Sequence, residues 1–103
     1  MTGDTPLPSA LMWFPSYMQT LPLTCRLSVP MLLALNVAGV PNCGADIGGF
    51  FGNPPAALVA RWYQAAVFYP FARGHAHLES QRREPWLFGE PYTSLIRVCF
   101  SRL

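Results

Sequence analysis

"VPNCGADIGGFFGNPPAALVARWYQAAVFYPF", residues 40–71, is the stretch whose reading decides the fold. A short apolar run, 40–44, opens into a glycine-rich loop that carries one acid, Asp46. Asn53 and Pro54 then supply a helix N-cap residue type and a proline at the first helical position. Behind them Leu58, Val59, Trp62, Ala65 and Ala66 recur at helical spacing, so a helix is expected. A second short apolar run, "VFYPF", occupies 67–71. Strand, loop, helix, strand is the rhythm of a parallel α/β sheet. In such folds the reacting groups sit on loops that follow the C-terminal ends of strands. The polar islands, Asp46 after the first run and Arg73, His75 and His77 after the second, fall at such places.

Upstream, "RLSVPMLLALNVAGV" (26–40) is apolar nearly all round and stops at Gly39, which predicts a core helix buried on two sides. Interrupted by Pro30 and Asn36, the apolar run from Leu27 to Val40 is shorter than the ~20 residues of a spanning helix. Residues 5–25 hold four prolines and no charge, show no period, and are expected to be irregular. No basic residue precedes Arg26, so the N-terminus does not read as a signal peptide. Downstream, a polar loop covers 72–83, and "EPYTSLIRVCF" predicts a third helix beginning near Pro91.

With 103 residues the chain is about one small domain, able to bury only about two thirds of its unfolded surface. Its charged fraction, 12%, is about half that of a typical soluble domain, while 51% is hydrophobic. It reads like the interior of something larger. The seven basic residues are all Arg and leave a net charge of +2, too little and too dispersed for a nucleic-acid footprint. Cys25, Cys43 and Cys99 are an odd number at wide spacing, which indicates buried free thiols rather than a disulfide framework.

Asp46 has two readings: it hydrogen-bonds a polar ligand, or it caps the amides of its own loop. "GADIGG" lacks both the dinucleotide pattern and a Walker lysine, so the glycines do not make a phosphate cradle. His75 and His77 would share a face of an extended segment, but two histidines and the distant Cys43 do not make a zinc site. No metal or other cofactor is expected. Of the aromatics, Trp62, Tyr63, Phe68, Tyr69, Phe71 and Trp86 are assigned mostly to the core. Arg82, Arg83 and Glu84 read as a local ion-pair cluster or as a clamp on backbone carbonyls.

"CGADIGGFFGNP", "RWYQAAVFYPFARGHAHLES" and "RREPWLFGE", in this order and at these separations, resemble the C-terminal part of the catalytic barrel of glycoside hydrolase family 31, in its neutral α-glucosidase branch. The likeness runs over residues 26–97, with "TGD" at Thr2 to Asp4 similar to the family's acid/base motif. It implies an α/β fold, an incomplete C-terminal portion of a (β/α)8 TIM barrel preceded by an irregular segment over 1–25 and followed by a divergent tail over 98–103. It further implies that Asp4 matches the acid/base, that Asp46 and His75 match substrate-pocket residues, and that Arg73 lies beside His75 in its loop. The implied substrate is an α-glucoside or oligosaccharide, the implied partner a regulatory subunit, and the implied location the lumen of the endoplasmic reticulum.

Retaining glycosidases use two carboxyl groups about 5 to 5.5 Å apart. The family's nucleophilic aspartate sits in a Trp-x-Asp-Met-Asn-Glu-type motif, and no such motif occurs among these residues. Residues 5–25 are longer than the family's linker, and the tail after Arg97 leaves its pattern, so both ends are expected to be splice or gene-model boundaries. Two functions therefore compete: a piece of a retaining α-glucosidase, inactive alone, or a non-catalytic chain that binds no sugar.

Overall fold

The computed structural model describes residues 22–102. Its elements are α1 (Pro22–Val37), α2 (Ala56–Ala66), a 3-10 helix (Pro85–Phe88) and α3 (Tyr92–Ser101). The expectations for residues 5–21 and for Asp4 lie outside the described residues.

α1 starts earlier than its apolar run suggests, so Pro30 falls inside it rather than in its first turn. It stops as expected at Gly39, whose φ of +97 favours glycine. The amide of Val40 donates to Leu35 O (2.9 Å) and that of Gly39 to Asn36 O (3.2 Å), the paired bonds of a Schellman cap. Burial on two sides does not occur. Ser28 and Leu32 are buried, whereas Leu33 and Val37 are 62% and 91% exposed. The physical reason is supply: Cys43 and Tyr69 meet one side of the helix, and no described element covers the other. On the covered side Ser28 Oγ donates to Cys25 O (2.7 Å) and pairs with the Tyr69 hydroxyl (2.6 Å).

α2 forms where the apolar spacing places it, and buries Val59, Ala60, Trp62, Tyr63 and Ala66. Its N-cap position is Pro55, without a side-chain cap. Asn53 instead accepts a hydrogen bond from the amide of Gln81 (2.7 Å), so its oxygen ties a distant loop and not the helix end. α3 begins after Pro91 as expected and runs on through residues 98–101. Thr93 Oγ1 donates to Pro85 O (3.0 Å), fastening α3 to the 3-10 helix.

The two predicted strands do not form. Residues 67–69 are still leaving α2, with the amides of Val67, Phe68 and Tyr69 bonded back to Tyr63, Ala65 and Ala66. Pro41 and Pro70 have no amide to add to a ladder. Parallel pairing survives further along each segment, as an isolated bridge between Asp46 and Arg73. A lone pair of strands is marginal, and the described residues contribute no third one to extend the ladder.

The core joins Ile47 of the glycine-rich loop to Val59, Ala60, Trp62, Tyr63 and Ala66 of α2 and Ile96 of α3. The rings of Tyr63 and Phe100 meet edge to face at 6.0 Å. Trp62 and Tyr63 are thus core residues as expected. Phe68 and Trp86 are not, being 81% and 69% exposed.

Candidate active site

Residues 43–49, from Cys43 through Gly49, are buried without interruption. Glycine makes that possible. A Cβ on Gly44 would stand 1.9 Å from Phe71 O, so only a bare Cα lets the two segments run side by side. Two residues on, Asp46 and Arg73 form the parallel bridge, with Ile47 N donating to Arg73 O (2.9 Å). The chain then turns: Gly49 N donates to Asp46 O (2.9 Å), with Gly48 at φ +88 in the third position, as a type II turn requires.

This geometry brings the carboxylate of Asp46 to the side chain of Arg73. Arg73 donates from Nε (3.0 Å) and Nη2 (2.8 Å) to the same oxygen, Oδ1. Asp46 is buried, with 3% of its side chain exposed, while Arg73 keeps 36% of its own in reach of solvent. The loop's turn is closed by the main-chain carbonyl of Asp46, which leaves the carboxylate to look across the bridge. That arrangement presents a carboxylate held through one oxygen by a guanidinium, a group of the kind that accepts hydrogen bonds from the hydroxyls of a polar ligand.

His75 lies two residues beyond Arg73 but opens onto a different surface. A cleft of about 340 Å³ is lined by His75, His77, Ser80, Arg82, Arg83 and Glu84, and Asp46 is not among its walls. The link between cleft and acid is Phe50, four residues after Asp46. Its ring lies 5.5 Å from that of His75 and 5.8 Å from that of His77, and Phe51 sits 5.3 Å from His77. His77 Nδ1 accepts from the amide of Glu79 (3.3 Å). The sequence reading passed over Phe50 and Phe51. Their signal was two aromatics inside a glycine loop, where no helical or strand period accounts for them.

Arg82, Arg83 and Glu84 divide between both expected roles. Arg82 Nε donates to Glu84 (2.8 Å) on the surface. That bond raises the Arg82 guanidinium further and holds the Glu84 carboxyl below its usual range. Arg83 is 1% exposed and clamps backbone carbonyls: Nη2 donates to Gly52 O (2.6 Å) and Gly49 O (3.1 Å), and Nη1 to Gln81 O. Burial pulls the Arg83 guanidinium down, and the charge of Asp46 partly offsets this. Tyr63 donates to Arg83 O (2.8 Å), and burial pushes its phenol up to about 12.

Cys43 is fully buried as expected, with Asn36 Nδ2 donating to its sulfur (3.5 Å), while Cys25 and Cys99 are only half-buried. Among the described residues no group of three or more His, Cys, Asp or Glu side chains is placed to hold a metal ion.

The model of the glycosyl hydrolases family 31 TIM-barrel domain matches residues 12–101. The neutral alpha-glucosidase AB of Dictyostelium discoideum is 68% identical over 77 residues, covering 75% of this chain and 8% of that protein. The glucosidase 2 subunit alpha of Schizosaccharomyces pombe is 58% identical over 72 residues, covering 70% of this chain and 8% of that protein. Among solved structures, the complex of the endoplasmic-reticulum glucosidase II catalytic subunit with the binding domain of its regulatory subunit matches with a TM-score of 0.77 at 49% identity. That match covers 80% of this chain and 9% of the solved one. A family 31 alpha-glucosidase from Bacteroides thetaiotaomicron matches with a TM-score of 0.71 at 44% identity, over 77% of this chain and 13% of that one. The chain therefore spans less than a tenth of the length of the curated relatives named here.

Proposed function

Because this chain belongs to glycosyl hydrolase family 31, we propose that residues 26–97 are the C-terminal part of the catalytic barrel of a retaining α-glucosidase. The buried carboxylate of Asp46, held by Arg73 where two loops bridge in parallel, carries the reading. In an intact barrel Asp46 accepts hydrogen bonds from sugar hydroxyls, Arg73 keeps it aimed, and His75 adds a further polar contact from the neighbouring loop. Asp4 serves as acid/base, and the nucleophile comes from a motif that these residues do not include. The substrate is an α-glucoside or oligosaccharide, such as the glucose caps of an N-glycan. A regulatory subunit as partner and the lumen of the endoplasmic reticulum as location are proposed by analogy with the glucosidase II complex that this chain resembles. No described helix is long and apolar enough to cross a membrane.

Two assays test this. In an intact relative carrying this core, the equivalent of Asp46→Asn lowers kcat/KM by roughly 10- to 100-fold, the scale of a lost charged hydrogen bond. An unchanged kcat/KM overturns the role. Residues 1–103 taken alone, which do not include that nucleophile motif, release no chromophore from an aryl α-glucoside. Turnover that disappears in Asp4→Ala overturns that part.

The alternative, a chain that binds no sugar, draws on one observation: the cleft that His75 lines does not include Asp46. Isothermal titration with a monosaccharide α-glucosidase inhibitor of the iminosugar class separates the readings in the intact relative. Binding weakened by Asp46→Asn and by His75→Ala supports a shared pocket, and binding indifferent to both overturns it.

A further inference from the structure

Arg83 is the one charged side chain among the described residues as deeply buried as Ile47, and its described hydrogen bonds go to main-chain oxygens rather than to a carboxylate. Burying a guanidinium is costly unless its donors are matched, and here they are matched by carbonyls. Those carbonyls are not scattered. Gly49 O belongs to the residue that closes the Asp46 turn, Gly52 O to the end of the same loop, and Gln81 O to the approach to Arg83 itself. Gly48 completes the fit: a Cβ there would lie 2.8 Å from Arg83 Cδ.

The other side of Arg83 is tied as well. Its main-chain oxygen accepts from Tyr63 of α2, and a Cβ on Gly74 would lie 2.5 Å from that same hydroxyl. One residue thereby joins α2, the loop after Arg73 and the glycine-rich loop. We propose that Arg83 is the positioning residue of the candidate site: its planar fork fixes the Gly49 and Gly52 carbonyls, and through them sets the Asp46 carboxylate against Arg73. Lysine has a point charge and no fork, so it cannot span the same oxygens. This rests on the proposed function only for its catalytic consequence, since the pairing of Asp46 with Arg73 is measurable without substrate.

The experiment is hydrogen exchange by NMR on the full chain, reading the Arg73 Nε–H donated to Asp46 beside the core amides of Val59 and Ile96. In Arg83→Lys the Arg73 Nε–H loses protection by about tenfold or more while both core amides keep theirs. Arg83→Met, which keeps a stem of similar reach without the guanidinium fork, gives the same selective loss. Unchanged Arg73 protection in both variants overturns the proposal. So does loss of Val59 and Ile96 protection together with it, because Arg83 would then be holding the whole fold. An unprotected Arg73 Nε–H in the parent chain overturns it as well. Failure of sugar binding in an intact relative would leave this exchange result standing and would count against the functional reading alone.

Discussion

The main-chain oxygen of Phe71 occupies the space that a side chain on Gly44 would need, with 1.9 Å between that oxygen and the Cβ position. The Asp46–Arg73 bridge lies two residues beyond this crossing on each segment. Gly44→Ala should therefore cost about 3 kcal/mol or more, since neither backbone can yield without breaking the bridge. Gly39→Ala should cost only about 1–2 kcal/mol, because its φ of +97 is strained for alanine but nothing lies within 4 Å. Urea midpoints followed by tryptophan fluorescence check the order, and equal midpoints would contradict it.

Removing the cation from the buried acid should be worse than neutralising the acid. Arg73→Met leaves Asp46, with its side chain 3% exposed, without its guanidinium, at a cost of about 2–3 kcal/mol. Asp46→Asn keeps the shape and a hydrogen-bonding oxygen, and should cost about 1 kcal/mol. The same urea titration distinguishes them, and a milder Arg73→Met would show that the pair is not coupled.

Tyr63 makes alkaline stability predictable in sign. Burial raises its phenol from the ordinary 10.0 to about 12, so the neutral form is the one the fold favours. Its contribution is complete below pH ~10 and is lost as pH rises from about 10 towards about 12, where the unfolded chain ionises first. Absorbance at the tyrosinate band should show ionisation delayed towards the upper end of that window, and Tyr63→Phe should remove its latest part while leaving the delay that burial gives Tyr69. A single early phase for all tyrosines would refute it.

The open side of α1 should make the isolated chain self-associate. Val29, Leu33 and Phe68 are exposed around an apolar groove of about 430 Å³ that also includes Leu32 and Ala65. Exposed apolar surface of this kind is an aggregation hazard. Light scattering on the parent chain should show oligomers, and Leu33→Glu combined with Phe68→Lys should raise the monomer fraction. A monomeric parent would count against the exposed face.

Much of this was written locally. The spacing from Leu58 to Ala66 is enough to specify α2, and Gly39 is enough to stop α1, because a helix needs only neighbours within four residues and a glycine cap only its own φ. The three long motifs identify the family in the same way, as residue types at fixed separations. Asp46, Arg73 and His75 stand out in the sequence because charge is scarce there. Their grouping is another matter. That Arg73 meets Asp46 while His75 opens onto a cleft with Arg82 and Glu84 depends on two segments crossing at Gly44, 27 residues before Phe71 in the chain. No periodicity encodes such a crossing. Asn53 shows the same limit: its type and place suit a helix cap, yet a tertiary partner, Gln81, takes its oxygen. The strands failed for a like reason, since a ladder is made by neighbours and the described residues offer isolated bridging where a barrel needs a sheet. By itself the sequence determined α2, the start of α3, the stop of α1 and the family. Only the tertiary structure decided which polar groups meet, because those meetings are set by long-range backbone contacts and by the buried Arg83, whose carbonyl partners Gly49 and Gly52 are more than thirty residues away.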